Sequence, residues 1–296
     1  MVPIEAKGLV KKFGATRALD GFDLEVEPGQ VHGFLGPNGS GKSTTIKVLL
    51  GLIRADGGQA RVLGLDPWTE ATSIHHRVAY VPGEVNLWPN LTGGEVLDLL
   101  ADLRGTGDRR RRDELCERFE LNTREKCGSY SRGNRQKVAL VAALSTEADL
   151  YVFDEPTAGL DPLKEAEFQD CVREIREEGR TVLLSSHILA QVEQLADSLT
   201  IIRNGKAIGT GSLPEMKHLA RSRIEATIGG DPTGLETLPG VHEVEVENDR
   251  IRLSVDPEGL EEVLRWLLER QVTDLVSRPP TLEDLFLSEY RDAEER

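Results

Sequence analysis

The sequence predicts an α/β core with an inserted helical subdomain, followed by a small α+β domain. Short apolar strands alternate with helices in most of the first part of the chain, an order typical of a parallel sheet. A helix-rich stretch near 92–144 interrupts this alternation. We therefore predict one domain over residues 1–214, with the helical subdomain at about 85–145, and a second domain over residues 215–296.

Apolar runs between turn residues define the elements of the core. Gly14 marks a turn between the first two strands, and Asn204 with Gly205 is a favoured two-residue hairpin turn. A helix is predicted from Lys42 to about Ile53. The predicted strands are residues 4–10, 18–26, 30–35, 150–153 and 181–185, with a hairpin over 199–208.

The C-terminal domain follows a predicted irregular link at residues 209–214, which contains glycine and proline. Apolar residues at helical spacing predict an amphipathic helix over 258–270. A last helix is predicted to begin at Thr281, whose hydroxyl can cap the backbone with Asp284 as its partner. The predicted strands of this domain lie near 223–228, 241–247 and 250–255.

Composition excludes several classes of protein. The formal net charge is −15, with 51 acidic against 36 basic side chains, so no nucleic acid is expected as a partner. No apolar stretch approaches the roughly 18 to 20 residues that cross a bilayer, and no signal-peptide pattern opens the sequence. The three cysteines lack the spacing of a metal site. These features predict a cytoplasmic protein without a membrane span of its own.

A glycine-rich segment between a predicted strand and a predicted helix matches the phosphate-binding loop in full. Its glycines let backbone N–H groups converge on phosphate oxygens, and the positive end of the next helix adds to the attraction. Its lysine supplies a cation, and the serine that follows supplies a hydroxyl for Mg²⁺. The alternative is a glycine turn that matches by chance and binds nothing. The segment consists of Gly36, Pro37, Asn38, Gly39, Ser40, Gly41, Lys42, Ser43 and Thr44.

Two adjacent acids follow the apolar strand at 150–153. Asp154, at the strand tip, is predicted to hold Mg²⁺ through water. Glu155 is predicted to polarise a water molecule against the γ-phosphate of ATP, as a general base. The alternative interpretation is a pair of acids that only caps local backbone.

The segment Tyr130-Ser131-Arg132-Gly133-Asn134 opens a predicted helix, where a serine and a glycine can bind an anion. With the phosphate loop before it and the acidic strand after it, this segment resembles the signature Leu-Ser-Gly-Gly-Gln of the ABC transporter ATPase family. The serine and the second glycine are kept, whereas the other three positions differ. We interpret the segment as a functional signature.

The resemblance implies a RecA-like core with an antiparallel β edge, and an ATPase homodimer in the ATP-bound state. Ser131 and Gly133 of one copy would contact the γ-phosphate held by the other. The order of motifs in the family also places Phe13 as the aromatic that stacks on adenine, Asp161 in the D-loop and His187 as the switch histidine. Taken alone, Phe13 is more typical of a core and His187 of a structural histidine.

One landmark of the family is altered. Its members usually carry glutamine after Tyr-x-Pro, whereas this chain has Gly83 followed by Glu84. Glu84 is either a substitute contact for the metal or water, or a solvated acid in a loop. The next residues, 85–91, correspond to the surface that receives the permease in the family. Trp88 in this stretch is either a docking aromatic or part of the core.

For function, the resemblance implies a Mg²⁺-dependent ATPase subunit held on the inner face of the membrane by a separately encoded permease. The acidic C-terminal domain, with the stretch 277–286, looks like the drug-exporter branch of the family and implies a small, antibiotic-like cargo. One alternative is a soluble ABC ATPase that acts on ribosomes or DNA. Another is a non-catalytic regulatory subunit, which would need to lack the general base or the signature.

Overall fold

The computed structural model describes residues 1–105, 108–218 and 221–278, and the chain divides into two compact units, Met1–Thr210 and Gly211–Arg296. The strands that begin in the first unit are β1 (Ile4–Phe13), β2 (Thr16–Val26), β3 (Val31–Leu35), β4 (Gly57–Val62), β5 (Val78–Val81), β6 (Leu150–Asp154), β7 (Thr181–Ser186), β8 (Ser198–Arg203) and β9 (Lys206–Ser212). Its helices are α1 (Lys42–Leu49), α2 (Ala71–His75), α3 (Gly93–Arg104), α4 (Arg109–Arg118), α5 (Arg132–Leu144), α6 (Pro162–Glu177) and α7 (Leu189–Leu195).

Two sheets organise the first unit. The larger sheet has the order β5-β6-β7-β3-β8-β9, and β5, β6, β7, β3 and β8 pair in parallel. Every residue of β3, β6 and β7 is buried, as expected for central strands covered on both faces. The smaller sheet is antiparallel, with the order β2-β1-β4. The predicted α/β core with an antiparallel β edge is therefore confirmed.

The order of the central strands brings three loops together. β6, β7 and β3 are neighbours, and because they are parallel their carboxyl ends lie at one edge of the sheet. The loops that follow these strands contain residues 36–41, 155–161 and 187–188. All three loops carry candidate site residues, so the topology places those residues at a common edge.

Helix α1 ends earlier than the sequence suggested. The predicted end was near Ile53, whereas the helix ends at Leu49. Gly51 has φ of 65°, and a Cβ on it would lie 1.9 Å from the carbonyl oxygen of Pro67. Only glycine fits this close approach, so the chain turns away from the helix at this point.

Helices α3, α4 and α5 form the helical subdomain. Thr92 and Glu95 form a capping box at the start of α3, and Asp108 accepts backbone hydrogen bonds at the start of α4. Arg118 of α4 contacts Glu174 of α6 at 2.8 Å, which ties the subdomain to the core. Within the described ranges, no helix has both the length and the apolar character that a membrane crossing requires.

The second unit is a small α+β fold. Its elements are α8 (Leu213–His218), β10 (Ser222–Ile228), β11 (Val241–Glu247), β12 (Arg250–Val255), α9 (Leu260–Leu268) and β13 (Val272–Arg278). The sheet is antiparallel with the order β11-β12-β10-β13. Val263, Trp266 and Leu267 of α9 are buried in the same cluster as Ile224 and Ile251 of the sheet.

Two features of this region differ from the prediction, and one cannot be compared. Residues 209–214 are the end of β9 and the start of α8 rather than an irregular link. Strand β13 was not predicted, because six of its seven residues are exposed and its sequence lacks a buried alternating face. The helix predicted from Thr281 lies outside the described residues.

Candidate active site

The glycine-rich loop is a close fit between β3 and α1. Gly39 and Gly41 have φ of 81° and 118°, a region that favours glycine. A Cβ on Gly36 would lie 2.4 Å from the carbonyl oxygen of Ile202, and one on Gly41 would lie 2.8 Å from that of Ala18. The loop therefore leaves no space for a side chain at Gly36 or Gly41. A backbone cradle of this kind at a helix N-terminus fits a phosphate group.

Lys42 lies inside this cradle, with only 5% of its side chain exposed. Its Nζ donates hydrogen bonds to the carbonyl oxygens of Gly36, at 2.6 Å, and Pro37, at 3.3 Å. The same Nζ lies 3.4 Å from Oε1 of Glu155. The ammonium group thus faces both the phosphate loop and the acid that follows β6, and its buried charge is compensated by that acid.

Glu155 joins Lys42 to His187. Its Oε2 is 2.6 Å from Nδ1 of His187, and because an ionised carboxylate only accepts, this ring nitrogen carries the proton of the bond. Glu155 has φ of 49°, a left-handed conformation that costs a residue other than glycine on the order of 1–3 kcal/mol. Its backbone N–H donates to the carbonyl oxygen of Ser185 at 3.1 Å, which supports this conformation. Strain of this kind is concentrated at functional sites.

Asp154 and Ser43 supply the oxygen atoms that could hold a metal ion. Asp154 is 3% exposed, and its Oδ1 accepts a hydrogen bond from Oγ of Ser185 at 2.5 Å. Ser43 is exposed in the first turn of α1. A carboxylate and a hydroxyl are hard donors that suit Mg²⁺. Within the described part of the chain, no group of three or more His, Cys, Asp or Glu residues could bind a metal alone, so further oxygen donors would have to come from nucleotide and water.

Gly83, rather than Glu84, lies beside Asp154. A Cβ on Gly83 would be 3.2 Å from the carbonyl oxygen of Asp154 and 3.7 Å from its Cγ. Glu84 is exposed, and its carboxylate forms no hydrogen bond or ion pair with the residues that the structure describes. Burial, followed by the charge of Asp154, raises the pKa of nearby Tyr80 to about 12, so this phenol stays protonated. A role for Glu84 at the metal therefore remains a prediction.

The Glu84→Ala variant tests that role. If Glu84 reaches the metal or its water when nucleotide is bound, its loss removes one anionic contact. The expected result is an increase of about threefold in the Mg²⁺ concentration that gives half-maximal ATP hydrolysis. Glu147→Ala, which removes another exposed glutamate, is the matched control. An unchanged Mg²⁺ dependence in Glu84→Ala would identify this residue as a solvated acid.

Ser131 and Gly133 lie together at the start of α5. Ser131 is the N-cap of the helix, and its Oγ accepts a hydrogen bond from the N–H of Asn134 at 3.1 Å. A Cβ on Gly133 would lie 2.4 Å from the carbonyl oxygen of Gly159. The signature segment therefore packs directly against the loop after β6. No described hydrogen bond or ion pair joins Ser131 or Gly133 to residues 36–44 of the same chain.

Tyr130 anchors this segment in place of the leucine that the family usually has. Its ring is 2% exposed, and its hydroxyl donates to the carbonyl oxygen of Asn122 at 2.5 Å. A Cβ on Gly93 would lie 2.3 Å from the same hydroxyl oxygen, so glycine makes space for the larger side chain. Burial raises the pKa of Tyr130 to about 12, which keeps this donor protonated.

Asp161 acts as the N-cap of α6. Its Oδ1 accepts hydrogen bonds from the N–H groups of Leu163 and Lys164, each at 3.1 Å. The bond from Lys164 is the main reason that the pKa of Asp161 is below its usual value. The side chain is exposed, so it can meet a partner while it caps the helix.

Two aromatic residues whose roles were left open are exposed. Phe13, at the end of β1, is 52% exposed, with Nζ of Lys11 5.4 Å from the centre of its ring. Trp88 is 50% exposed. Neither is a core residue, so both rings are accessible to a ligand or a partner.

Sequence reasoning missed two polar residues that organise the site. Ser185 donates to Asp154 and accepts from the backbone of Glu155. Gln191 accepts hydrogen bonds from Thr157, in the loop after β6, and from Ser186, which precedes His187. The polar pair Ser185-Ser186 at the end of an apolar strand was a signal for the first of them. Gln191 has no comparable signal, because nothing in the local pattern distinguishes it from a surface glutamine.

Comparisons with known proteins identify the family. The family described as "ABC transporter" matches residues 19–158, and the family "ATP-binding protein DrrA1-3-like, C-terminal domain" matches residues 211–290. The chain is 38% identical to the daunorubicin resistance ATP-binding protein DrrA3 of Streptomyces coeruleorubidus, over 96% of this chain and 94% of that protein.

Solved structures show the same similarity. The ATP-binding subunit of an ABC transporter has 32% identity and a TM-score of 0.69, covering 73% of this chain and 92% of that one. A dimeric ATP-binding cassette in a post-hydrolysis state, bound to ADP and Pi, has 25% identity and a TM-score of 0.65, covering 71% and 98%. The predicted fold class and the resemblance drawn from the motifs are both confirmed.

Proposed function

The chain belongs to the ATP-binding proteins of ABC transporters, and on that premise we propose that it drives export of a drug-like molecule by hydrolysing Mg²⁺-bound ATP between two copies of itself. The contact series from Lys42 through Glu155 to His187, at the edge of the phosphate loop, carries this proposal. It supports the proposal because a cation, a carboxylate that can act as a general base and a hydrogen-bonding imidazole are in contact at one edge of the sheet.

The residues divide the reaction among them. Nucleotide phosphates in the cradle attract Lys42, which weakens its contact with Glu155 and leaves that carboxylate free to accept a proton from water. His187 fixes the orientation of Glu155 through Nδ1–H, and in the doubly protonated ring Nε2–H can donate to the γ-phosphate as well. Ser43 and Asp154 would hold Mg²⁺, which neutralises phosphate charge when bound. The products are ADP and phosphate.

A second copy would complete each site. Ser131 and Gly133 lie at an exposed helix N-terminus but do not bond to the phosphate loop of their own chain. Such a terminus attracts an anion, and the γ-phosphate of nucleotide held by another copy is the anion that fits the signature. Asp161, beside the same surface, and the exposed ring of Phe13, for adenine, fit the same arrangement.

The permease is proposed to bind where the helical subdomain meets the core of the first unit. A cavity of about 800 Å³ opens there, lined by apolar side chains that include Leu52, Leu100 and Leu103. Trp88, a few residues before helix α3 of this cavity, offers a further exposed aromatic ring. Through such a partner the chain would be peripheral on the inner face of the membrane. The name of its relative, a daunorubicin resistance ATP-binding protein, supports a drug as the cargo class.

Drug efflux and membrane capture test this function together. Cells that lack the chain should retain more daunorubicin fluorescence than wild-type cells, and the wild-type chain, but not Glu155→Gln, should restore efflux. The tagged full-length chain should also be recovered from detergent-solubilised membranes in a complex that hydrolyses ATP faster than the chain alone. The proposal would be contradicted if cells without the chain showed unchanged efflux and the chain were recovered on ribosomes or DNA.

A further inference from the structure

Gln191 is a buried amide that links three segments around the active site. It lies in α7 and is 8% exposed. Its Oε1 accepts a hydrogen bond from Oγ1 of Thr157 at 3.1 Å and lies 3.3 Å from Oγ of Ser186. Its Nε2 donates to the carboxylate of Glu165 in α6. A carboxylate only accepts, so the orientation of the amide follows from this chemistry.

Each partner of Gln191 lies in a segment that also carries a residue of the proposed site. Thr157 follows Glu155 by two positions, and Ser186 directly precedes His187. Glu165 lies in the first turn of α6, the helix that Asp161 caps. One side chain therefore connects the loop of the general base, the loop of the histidine and the helix that follows the D-loop.

The conformation of Glu155 gives this connection a function. A residue other than glycine keeps a φ of 49° only when the surrounding structure enforces it. Hydrogen bonds that the backbone N–H of Glu155 donates to Ser185 restrain the residue at its N-terminal side. On its C-terminal side, Thr157 bonds to the buried Gln191, whose Oε1 also lies 3.3 Å from Ser186 before the histidine loop, so this restraint adds to the direct contact between Glu155 and His187.

We propose that Gln191 is a positioning residue for ATP hydrolysis, which sets the separation between the Glu155 carboxylate and the His187 ring. The inference rests on the proposed function. An amide suits this position because it accepts from two hydroxyl groups with one end and donates to a carboxylate with the other. A displacement of about 1 Å in reacting groups can reduce the rate about 100-fold, so loss of this restraint affects turnover rather than nucleotide binding.

Gln191→Glu is the first test, because it keeps the size of the side chain and turns the donor towards Glu165 into an acceptor. Two carboxylates then face each other, and the bond cannot form. We expect kcat to fall about 30-fold while KM for ATP changes by less than about twofold, since Lys42 and its loop are not altered. Gln194→Glu, an exposed position on the same helix, makes the same chemical change and should leave both constants unchanged.

The exchanged pair Gln191→Glu with Glu165→Gln is the decisive variant. The introduced carboxylate can accept from Thr157 and Ser186, and the introduced amide can donate to it. All hydrogen bonds are then restored, and the negative charge lies on residue 191 instead of residue 165. We expect kcat within about threefold of wild type, although Gln191→Glu alone is impaired. Glu165→Gln alone should be nearly neutral, because the amide of Gln191 can donate to an amide oxygen.

The outcomes separate the inference from the function on which it rests. The role of Gln191 would be overturned if folded Gln191→Glu kept the wild-type kcat, or if the folded exchanged pair remained slow. If Gln191→Glu does not fold, as judged by its thermal transition, the exchanged pair alone decides. A wild-type chain without ATP hydrolysis would instead contradict the proposed function.

Discussion

Replacement of Glu155 by glutamine is expected to stop ATP hydrolysis while nucleotide binding is retained. The amide keeps the size of the side chain and can still bond to His187, but it cannot take a proton from water. General bases contribute about 10² to 10⁴ in rate, so we expect phosphate release to fall at least about 100-fold. The affinity for ATP should stay within a few-fold, because Lys42 and the glycine cradle are intact.

The same variant should accumulate the ATP-bound dimer. With hydrolysis blocked, nothing releases the two copies, so light scattering after gel filtration should show twice the monomer mass in Mg²⁺ and ATP, and the monomer without nucleotide. Glu147→Gln, which makes the same change at an exposed glutamate, should behave as wild type. Phosphate release at the wild-type rate in Glu155→Gln would remove this residue from the role of general base.

The chemistry of the site could be read from the sequence because it resides in contiguous motifs. The segment from Gly36 to Thr44 and the pair Asp154-Glu155 each carry their own local signal, a glycine cradle before a helix and acids after an apolar strand. What the sequence could not provide was the strand order β6-β7-β3. That order makes Lys42 and Glu155 neighbours, and their 3.4 Å contact depends on it.

In the C-terminal domain, the strand that sequence analysis missed is one without a buried face. β13 has six exposed residues of seven, so it lacks the alternation that indicates a strand, and its pairing with β10 depends on tertiary context. The helix over 258–270 was predicted because burial of Val263 and Leu267 leaves a periodic apolar pattern, and α9 is found within that range. The exposure of single side chains was equally hard to predict, because nothing in the local sequence distinguishes the exposed Phe13 from a core residue.

Gly133→Ala is expected to prevent formation of the composite site. The added methyl carbon would lie 2.4 Å from the carbonyl oxygen of Gly159, about 1 Å closer than an ordinary contact allows. Because the obstacle is backbone, the start of α5 or the loop after β6 must move, and both belong to the proposed dimer surface. In the Glu155→Gln background, we expect ATP to produce at least about tenfold less dimer, and in the otherwise wild-type chain we expect turnover to fall about 100-fold.

Binding by the monomer distinguishes this effect from general damage. Gly133 makes no bond to residues 36–44 of its own chain, so a fluorescent ATP analogue should bind the variant with wild-type affinity. Gly57→Ala is the matched control, because a Cβ there meets only Val10, at an ordinary 3.5 Å. A Gly133→Ala chain that still dimerises in ATP as the wild type does would place the signature segment away from the dimer contact. The phosphate loop would then have to act without a second copy, and Ser131 would be only a helix cap.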